Sequence, residues 1–367
     1  MHHGLSQKDL SEYEINRVFD VNTDVWNGMS TAGYPSKLRD PNIKPETEAS
    51  YEFGTDFRFF NNRLGFDYTF FSRLRYDRLI EADISEASGA KKIITNTAEE
   101  LRQRGMEFTL TGKPIVTKEF QWESALNVAY WHWYYDKLDP VYSSQDPRIG
   151  VGERYDKYFF TDWETDHAGN IVHQAGLPVK NKYQSVIGYK DPKCILGWTN
   201  RFFYKGFDLS VSIDGRIGGV MYSWTEQAMW HSGVHPDSDN RWRYDEVVNG
   251  KQNYIGSGVK VVSGSASYDP YGKVLEDTRV FAPNDVPVSY QNYTMNYNEN
   301  PWDHDARQNI KNGSFLKLRE VALNYTLPAT IAQKLLMKKV RVGVIGQNLL
   351  MWTKEFKFSD PDVVRRT

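Results

Sequence analysis

The chain of 367 residues carries a formal net charge of −2 and is 14% aromatic, with 11 Trp, 23 Tyr and 19 Phe. A pI of about 6.5 offers no basic footprint for nucleic acid. The single Cys194 excludes an intrachain disulfide or a thiolate metal cluster, and no run approaches the ~18 consecutive apolar residues of a spanning helix.

In chain order, the first predicted strand covers Tyr51–Phe60, with Tyr51, Phe53, Thr55, Phe57 and Phe59 on one face and Glu52, Gly54, Asp56 and Arg58 on the other. An earlier strand is allowed somewhere within Glu12–Trp26. A tight turn at Asn61–Arg63 leads to Leu64–Tyr76, where Leu64, Phe66, Tyr68 and Phe70 oppose Gly65, Asp67 and Thr69. Asparagine tolerates the positive φ of such turns. Arg104–Gly112 alternates Met106, Phe108 and Leu110 with Glu107 and Thr109. A corner at Gly112-Lys113-Pro114 precedes Phe120–Tyr135, where Phe120, Trp122, Leu126, Val128 and Tyr130 oppose Gln121, Glu123 and Asn127. Leu196–Tyr204 passes through Lys205-Gly206 into Phe207–Ile217, whose polar face carries Asp208, Ser210, Ser212, Asp214 and Arg216. Phe315–Leu327 and Val340–Trp352 complete the set.

Between these hairpins run connections of roughly 25 to 100 residues, against the usual few. Short and long links alternate throughout. A transmembrane β-barrel has this asymmetry, with short periplasmic turns and long extracellular loops. The expected class is therefore all-β, an antiparallel transmembrane barrel portion of eight to nine strands. Charged inward faces suit a wide, wet lumen. The low mean hydropathy of −0.62 is compatible, because only alternate residues of a barrel strand meet lipid. A half-solvated sheet in a soluble sandwich would alternate in the same way.

The last hairpin is the most specific segment. Asn312-Gly313-Ser314-Phe315-Leu316-Lys317-Leu318-Arg319-Glu320-Val321-Ala322-Leu323-Asn324-Tyr325-Thr326-Leu327-Pro328 resembles the penultimate hairpin of SusC/RagA-type TonB-dependent transporters. Val340-Arg341-Val342, Gly346-Gln347-Asn348-Leu349 and Trp352-Thr353-Lys354 follow in the family's order, as do Asp360-Pro361-Asp362-Val363. Upstream, Ile43-Lys44-Pro45-Glu46 with Glu52-Phe53-Gly54, then Phe60-Asn61-Asn62-Arg63-Leu64 and Arg104-Gly105-Met106-Glu107, are similar to further family motifs. The motif positions singled out are Leu318, Tyr325, Pro328, Gly346, Gln347, Asn348, Leu349 and Trp352.

The resemblance implies part of a ~22-stranded, plugged outer-membrane barrel. It further implies TonB-driven import of oligosaccharides or peptides, in the outer membrane of a Bacteroidetes-like Gram-negative cell. The implied partners are a SusD-like surface lipoprotein and the TonB complex, reached through a missing N-terminal region. Residues 1–45 read as an N-terminal strand and loop segment, and 46–367 as the C-terminal barrel part with its final strand missing. Met1–Leu5 has no apolar leader segment, so a barrel reading implies sequence upstream, and the chain reads as a fragment.

Among candidate sites, the loop from about Gly218 to Asn312 gathers Tyr222, Trp224, Trp230, Trp242 and Tyr244 beside Asp237, Asp239 and Asn240. Such rings stack on sugars, or else pack the loop against itself or against the lid-like partner. Asp56, Arg58, Asp67, Glu107, Glu123, Asp208, Asp214 and Arg216 are expected to face the lumen, either toward a plug or simply toward water. His231 and His235 have i, i+4 spacing, but Gly233 and Pro236 argue against a helical metal pair. Asp162, Glu164 and Asp166 before His167-Ala168-Gly169-Asn170 lack the repeat of a calcium loop. No metal or cofactor is expected, and no nucleophile–base spacing argues for an enzyme. The alternative reading is a secreted Trp-rich module that grips polysaccharide.

Overall fold

The computed structural model describes residues 2–8, 19–21, 27–33, 35, 37–298 and 307–362. The chain divides into two compact units, residues 1–112 with 127–155 and residues 113–126 with 156–367.

In the first unit, β1 (His2–Lys8), β2 (Glu46–Phe59), β3 (Leu64–Tyr76) and β4 (Glu100–Val116) pair antiparallel in that order. β5 (Phe120–Lys137) contributes its C-terminal part, and Thr109 donates to Asn127 across β4 and β5 at 2.8 Å. Directly paired residues point to the same side of a sheet. Phe53–Phe70–Met106, Thr55–Tyr68–Phe108 and Phe57–Phe66–Leu110 therefore form one continuous apolar face. Phe66 meets Phe108 edge-on at 5.0 Å. Phe53, Phe57, Phe59, Phe70 and Met106 remain exposed, with nothing packed over them among the described residues. The opposite face carries Gly54–Thr69–Glu107 and Asp56–Asp67–Thr109. Phe71 lies over Gly105, where an added Cβ would stand 2.3 Å from its ring, so glycine is required by the packed aromatic.

The apolar face ends sharply along β4. From Met106 to Val116 the outward residues are uncharged; above them come Arg104, Arg102 and Glu100. The ten steps from Met106 to Val116 at ~3.3 Å each, tilted by ~40°, give a band of ~25 Å, the height of the apolar belt of outer-membrane barrels. Arg102 pairs with Asp136 of β5 at 2.7 Å above that limit.

The connection between β3 and β4 supplies Leu79–Asp83 and Lys92–Asn96, which form a small sheet with Lys37–Arg39 from ahead of β2. Asp139, just after β5, ties this region together. Its carboxylate accepts from the Ala98, Val141 and Tyr142 amides and from the Thr97 hydroxyl, at 2.6 to 3.0 Å. Burial pushes this carboxyl up, yet the four donors outweigh it and hold the pKa at about 2. Nearby, Glu99 joins Arg78 at 2.7 Å and Ser143 at 2.6 Å.

In the second unit, β6 (Cys194–Tyr204), β7 (Phe207–Ile217), β8 (Phe315–Thr326) and β9 (Arg341–Thr353) pair antiparallel in sequence order. Trp198–Ile213–Leu318, Phe202–Leu209–Leu323–Val344 and Tyr204–Phe207–Tyr325–Val342 share the apolar face. Trp122 of β5 stacks on Phe202 at 5.8 Å.

The hairpin turns depart from the predicted ones in two places. Phe60, Asn61 and Asn62 all adopt positive φ, so the turn starts one residue earlier than predicted. β4 runs straight through Gly112-Lys113-Pro114 to Val116, and the turn is Thr117–Glu119, closed by the Thr117 hydroxyl on the Phe120 amide at 2.9 Å. Pairing with β3 ends at Leu64–Gly112, so Pro114 removes no β3 ladder bond. Lys205 and Gly206, at φ 44° and 89°, make the expected two-residue turn. The segment Glu12–Trp26 lies, apart from Phe19–Val21, outside the described residues. The strand found ahead of β2 is His2–Lys8, which the sequence does not announce.

Candidate functional site

The polar faces of the two units are lined with ion pairs. In the first unit Arg58 bridges Asp56 and Asp67 at 2.5 and 2.8 Å, while Glu107 stands exposed beside Thr69. In the second, Glu123 meets Lys113 at 3.0 Å, and Asp208 meets Arg201 at 3.2 Å and Arg341 at 2.5 Å. Asp214 holds Arg319 at 2.5 Å. Arg216 differs from the rest: it is buried, donates to the Gly313 carbonyl at 3.2 Å, contacts the Met221 sulfur and lies over the Phe315 ring. It fastens the ends of β7 and β8, whereas Asp56, Arg58 and Glu107 remain solvent-exposed.

A bulge shapes this wall. Ser212 pairs with Glu320 and Ile213 with Leu318, leaving Arg319 as the extra residue of β8. Opposite, Gln347 pairs with Glu320 and Leu350 with Leu318, so β9 is bulged again at Asn348-Leu349. Asn348 takes φ 51°, a left-handed conformation that asparagine tolerates. Its side-chain oxygen accepts from Arg319 at 3.0 Å. The outward apolar set therefore shifts from Leu316 and Leu318 to Val321, Leu323 and Tyr325, and Arg319 joins Lys317 on the polar side. Of the other motif positions, Leu349 and Trp352 are exposed, and Pro328 precedes the short helix α4 (Ala329–Lys334).

The segment after β9 folds onto that basic pair. The Lys317 side chain is only 2% exposed, and its ammonium sits 2.6 Å from Asp360 and 3.2 Å from Asp362. Asp362 also binds Arg319 at 2.8 Å, and that guanidinium holds the Asp362 carboxyl below the usual carboxylate range. Phe356 is fully buried, and Glu355 accepts from the Asn312 amide at 2.6 Å. Sequence reasoning missed this anchor. Its one visible signal is the break in alternation at Leu318-Arg319-Glu320-Val321.

The predicted loop aromatics divide. Helix α1 (Trp224–His231) starts at the Ser223 cap, whose hydroxyl accepts from Glu226. Helix α2 (Arg241–Asn249) starts at Asn240, which accepts from Trp242 and Arg243, and ends at Gly250 with φ 65°. Tyr222 is buried and packs on Trp224 at 4.8 Å. Trp230 stacks on His235 at 4.1 Å, and Trp242 meets Tyr254 edge-on at 5.7 Å. Tyr244 and Trp224 keep exposed ring surface. The five rings are thus not gathered on one platform; most pack the loop internally.

A tyrosine-rich core supports them. Helix α3 (Tyr290–Asn298) presents Tyr293 to His173, whose Nε2 is 3.1 Å from the phenol while Nδ1 lies 3.0 Å from the Ile171 carbonyl. Burial holds His173 below its ordinary pKa and pushes Tyr293 up. A cleft of about 280 Å³ lies between α1, α2 and α3, bordered by Trp230, Arg243, Glu246, Tyr290 and Gln291. Glu246 there accepts from Ser289 and from the Gln291 amide, and Arg243 donates to the Gly233 carbonyl and Ser238.

His235 is buried, with Nδ1 accepting from the Asp237 amide, Glu226 3.8 Å from Nε2, and Phe358 against its ring. Burial holds its pKa below the ordinary value. His231, in the last turn of α1, borders the cleft. In the acidic turn, Glu164 binds Arg279, which also clamps Asp277 at 2.7 Å and holds it at about 2. Asp166 accepts from Ala168 and Asn170 and closes a small turn. Among the described residues no three His, Cys, Asp or Glu side chains converge as metal ligands.

No family model matches the chain. It is 22% identical over 353 residues to TonB-dependent receptor P3 of Formosa agariphila, covering 88% of this chain and 31% of the relative. It is 25% identical over 209 residues to TonB-dependent receptor SusC of Bacteroides thetaiotaomicron, covering 51% of this chain and 21% of the relative. The fold matches the RagAB peptide importer in its open-open state with a TM-score of 0.68 and 17% identity, over 99% of this chain and 37% of that one. The chain thus spans about a third or less of the length of these curated relatives.

Proposed function

We propose that this chain, a SusC/RagA-family TonB-dependent transporter sequence by its motifs and relatives, supplies the C-terminal part of the barrel of an outer-membrane importer. The observation that carries the reading is the uncovered apolar face, ~25 Å tall by strand geometry and backed by an ion-paired polar face. In water such a face would be a severe liability; in a bilayer it is the contact surface. Residues 1–45 add the leading strand and loop segment, and 46–367 the remaining wall. Closure to ~22 strands is contributed by the rest of the transporter.

The cargo class is oligosaccharides or peptides, taken up with a SusD-like lipoprotein on the outer face and energised through TonB. Asp56, Arg58, Asp67, Glu107, Glu123, Asp208 and Asp214 face the lumen. Trp224 and Tyr244, which keep exposed ring surface, are the strongest of the loop aromatics for ligand or partner contact. The chain acts in transport and carries out no chemistry of its own.

Uptake by the intact transporter of labelled oligosaccharides and of labelled peptides, with and without a functional TonB complex, tests this. TonB-dependent accumulation of one class is expected, and replacing Trp224 and Tyr244 together by Ala should lower it. Full recovery of the protein in the soluble fraction without detergent, together with polysaccharide binding, would instead favour the secreted module.

A further inference from the structure

The connection between β8 and β9 is unlike the other turns of the second unit. Thr117–Glu119 and Lys205-Gly206 are brief and polar, and they meet through Lys205 and Glu119 at 3.1 Å. Thr326 donates to the Gly206 carbonyl at 2.8 Å, which places the start of the third connection at the same end. That connection holds α4 and then Leu335-Leu336-Met337-Lys338-Lys339. Ala332 is its buried residue, while Ile331, Leu335, Leu336 and Met337 are all exposed, Leu336 to 96%. Leu336 also sits at φ 57°, a left-handed position that Gly or Asn fills at lower cost. The Leu336 and Met337 amides close the helix end on the Gln333 and Ala332 carbonyls at 2.9 and 3.0 Å, which accounts for the left-handed turn, but nothing among the described residues covers the apolar side chains. Lys334, Lys338 and Lys339 surround the apolar cluster and are exposed as well.

We propose that this connection docks into the anionic phospholipid surface at the periplasmic edge of the barrel, with Ile331, Leu335, Leu336 and Met337 in the acyl boundary and the three lysines on headgroup phosphates. Charge complementarity favours an anionic monolayer, since each basic side chain near such a surface contributes to attraction. The site also continues the apolar face that the barrel reading assigns to lipid. Phe207 and Tyr325 pack at 4.5 Å on the apolar face at this same end, and Lys205 lies 5.3 Å above the Tyr204 ring. Aromatic residues of that kind mark the membrane interface. An amphipathic turn with apolar tips and flanking lysines adds a footing beside that girdle.

The inference rests on the barrel reading, and a control position separates the two. In a Cys194→Ser background of the intact transporter, a nitroxide is placed by Leu336→Cys or, separately, by Val344→Cys. Its accessibility to oxygen and to a water-soluble nickel complex is measured in vesicles with and without phosphatidylglycerol. The label at 336 is expected to favour oxygen over nickel in phosphatidylglycerol vesicles, and to shift toward nickel when Lys334, Lys338 and Lys339 become Gln. Nickel access at 336 with lipid contact at 344 would overturn the docking alone. Exclusion of both reagents at 336 would also overturn it, assigning the cluster to another protein segment. Nickel access at both positions would remove the barrel reading itself.

Discussion

Removing the two aspartates that hold Lys317 should cost more than removing Lys317. The ammonium is almost fully enclosed, whereas Asp360 and Asp362 keep 38% and 41% of their side-chain surface in solvent. Lys317→Met leaves two carboxylates that can rehydrate, one still bound by Arg319, so the expected loss is about 1 kcal/mol. Asp360→Ala with Asp362→Ala strands a buried cation, for which about 3 kcal/mol is expected, the low end for a broken buried pair. The triple variant should return close to the Lys317→Met value.

Trypsin reads this directly, because Lys354 and Lys357 lie in the anchored segment. When cleavage follows the population of the open form, 1 kcal/mol speeds cutting about fivefold and 3 kcal/mol about 150-fold. Phe356, buried and untouched by these substitutions, is expected to set the common baseline. Equal acceleration by Lys317→Met and by the aspartate pair would refute the argument, because it would mean that the enclosed cation carries no desolvation penalty.

Further outcomes follow from other features. At Asn348, φ 51° makes Val the costly replacement, by about 1–2 kcal/mol, while Gly should lose only the bond to Arg319; urea unfolding in vesicles that ranks Gly below Val would contradict the bulge assignment. The Asp139 carboxyl, held at about 2, stabilises its loop at neutral pH. Because its folded pKa lies below the unfolded value of 3.8, that contribution is complete above pH 4 and fades as pH falls toward 2. Asp139→Asn should therefore cost on the order of 2 kcal/mol at pH 7, with a gap in melting temperature that closes in acid. Leu110→Arg, placing a cation near the middle of the apolar band, should destabilise the barrel by about 2–4 kcal/mol in vesicle refolding; a neutral result would argue against lipid contact at that row.

The strand pattern was legible because alternation is a local signal: Tyr51 to Phe59 and Phe207 to Ile213 give both faces directly. The Asn61-Asn62 turn follows from residues that accept positive φ, and the Lys205-Gly206 turn from its glycine. Gly112-Lys113-Pro114 misled because its turn chemistry is genuine, yet β3 has already turned away where Pro114 sits. His2–Lys8 shows no alternation, and its pairing depends on the edge that β2 offers. The loop helices were marked only by Ser223, Asn240 and Gly250 at their ends. The anchor of Lys317 joins residues more than forty positions apart, so no local rule reaches it. Among the loop rings, sequence spacing could not separate Tyr222, which is buried, from Tyr244, which is not.

The abrupt change from Met106 to Arg104 on the outward side of β4 acts as a waterline. Below it a ~25 Å belt matches a thin bilayer; a membrane several ångströms thicker would draw the Arg104 and Arg102 collar toward hydrocarbon. That collar opposes sinking, and the uncovered rings below oppose rising. The height at which the wall floats is thus written in one strand. In the proposed barrel it also sets how far the small sheet of Leu79–Asp83 and Lys92–Asn96, in the same unit, would stand above the lipid.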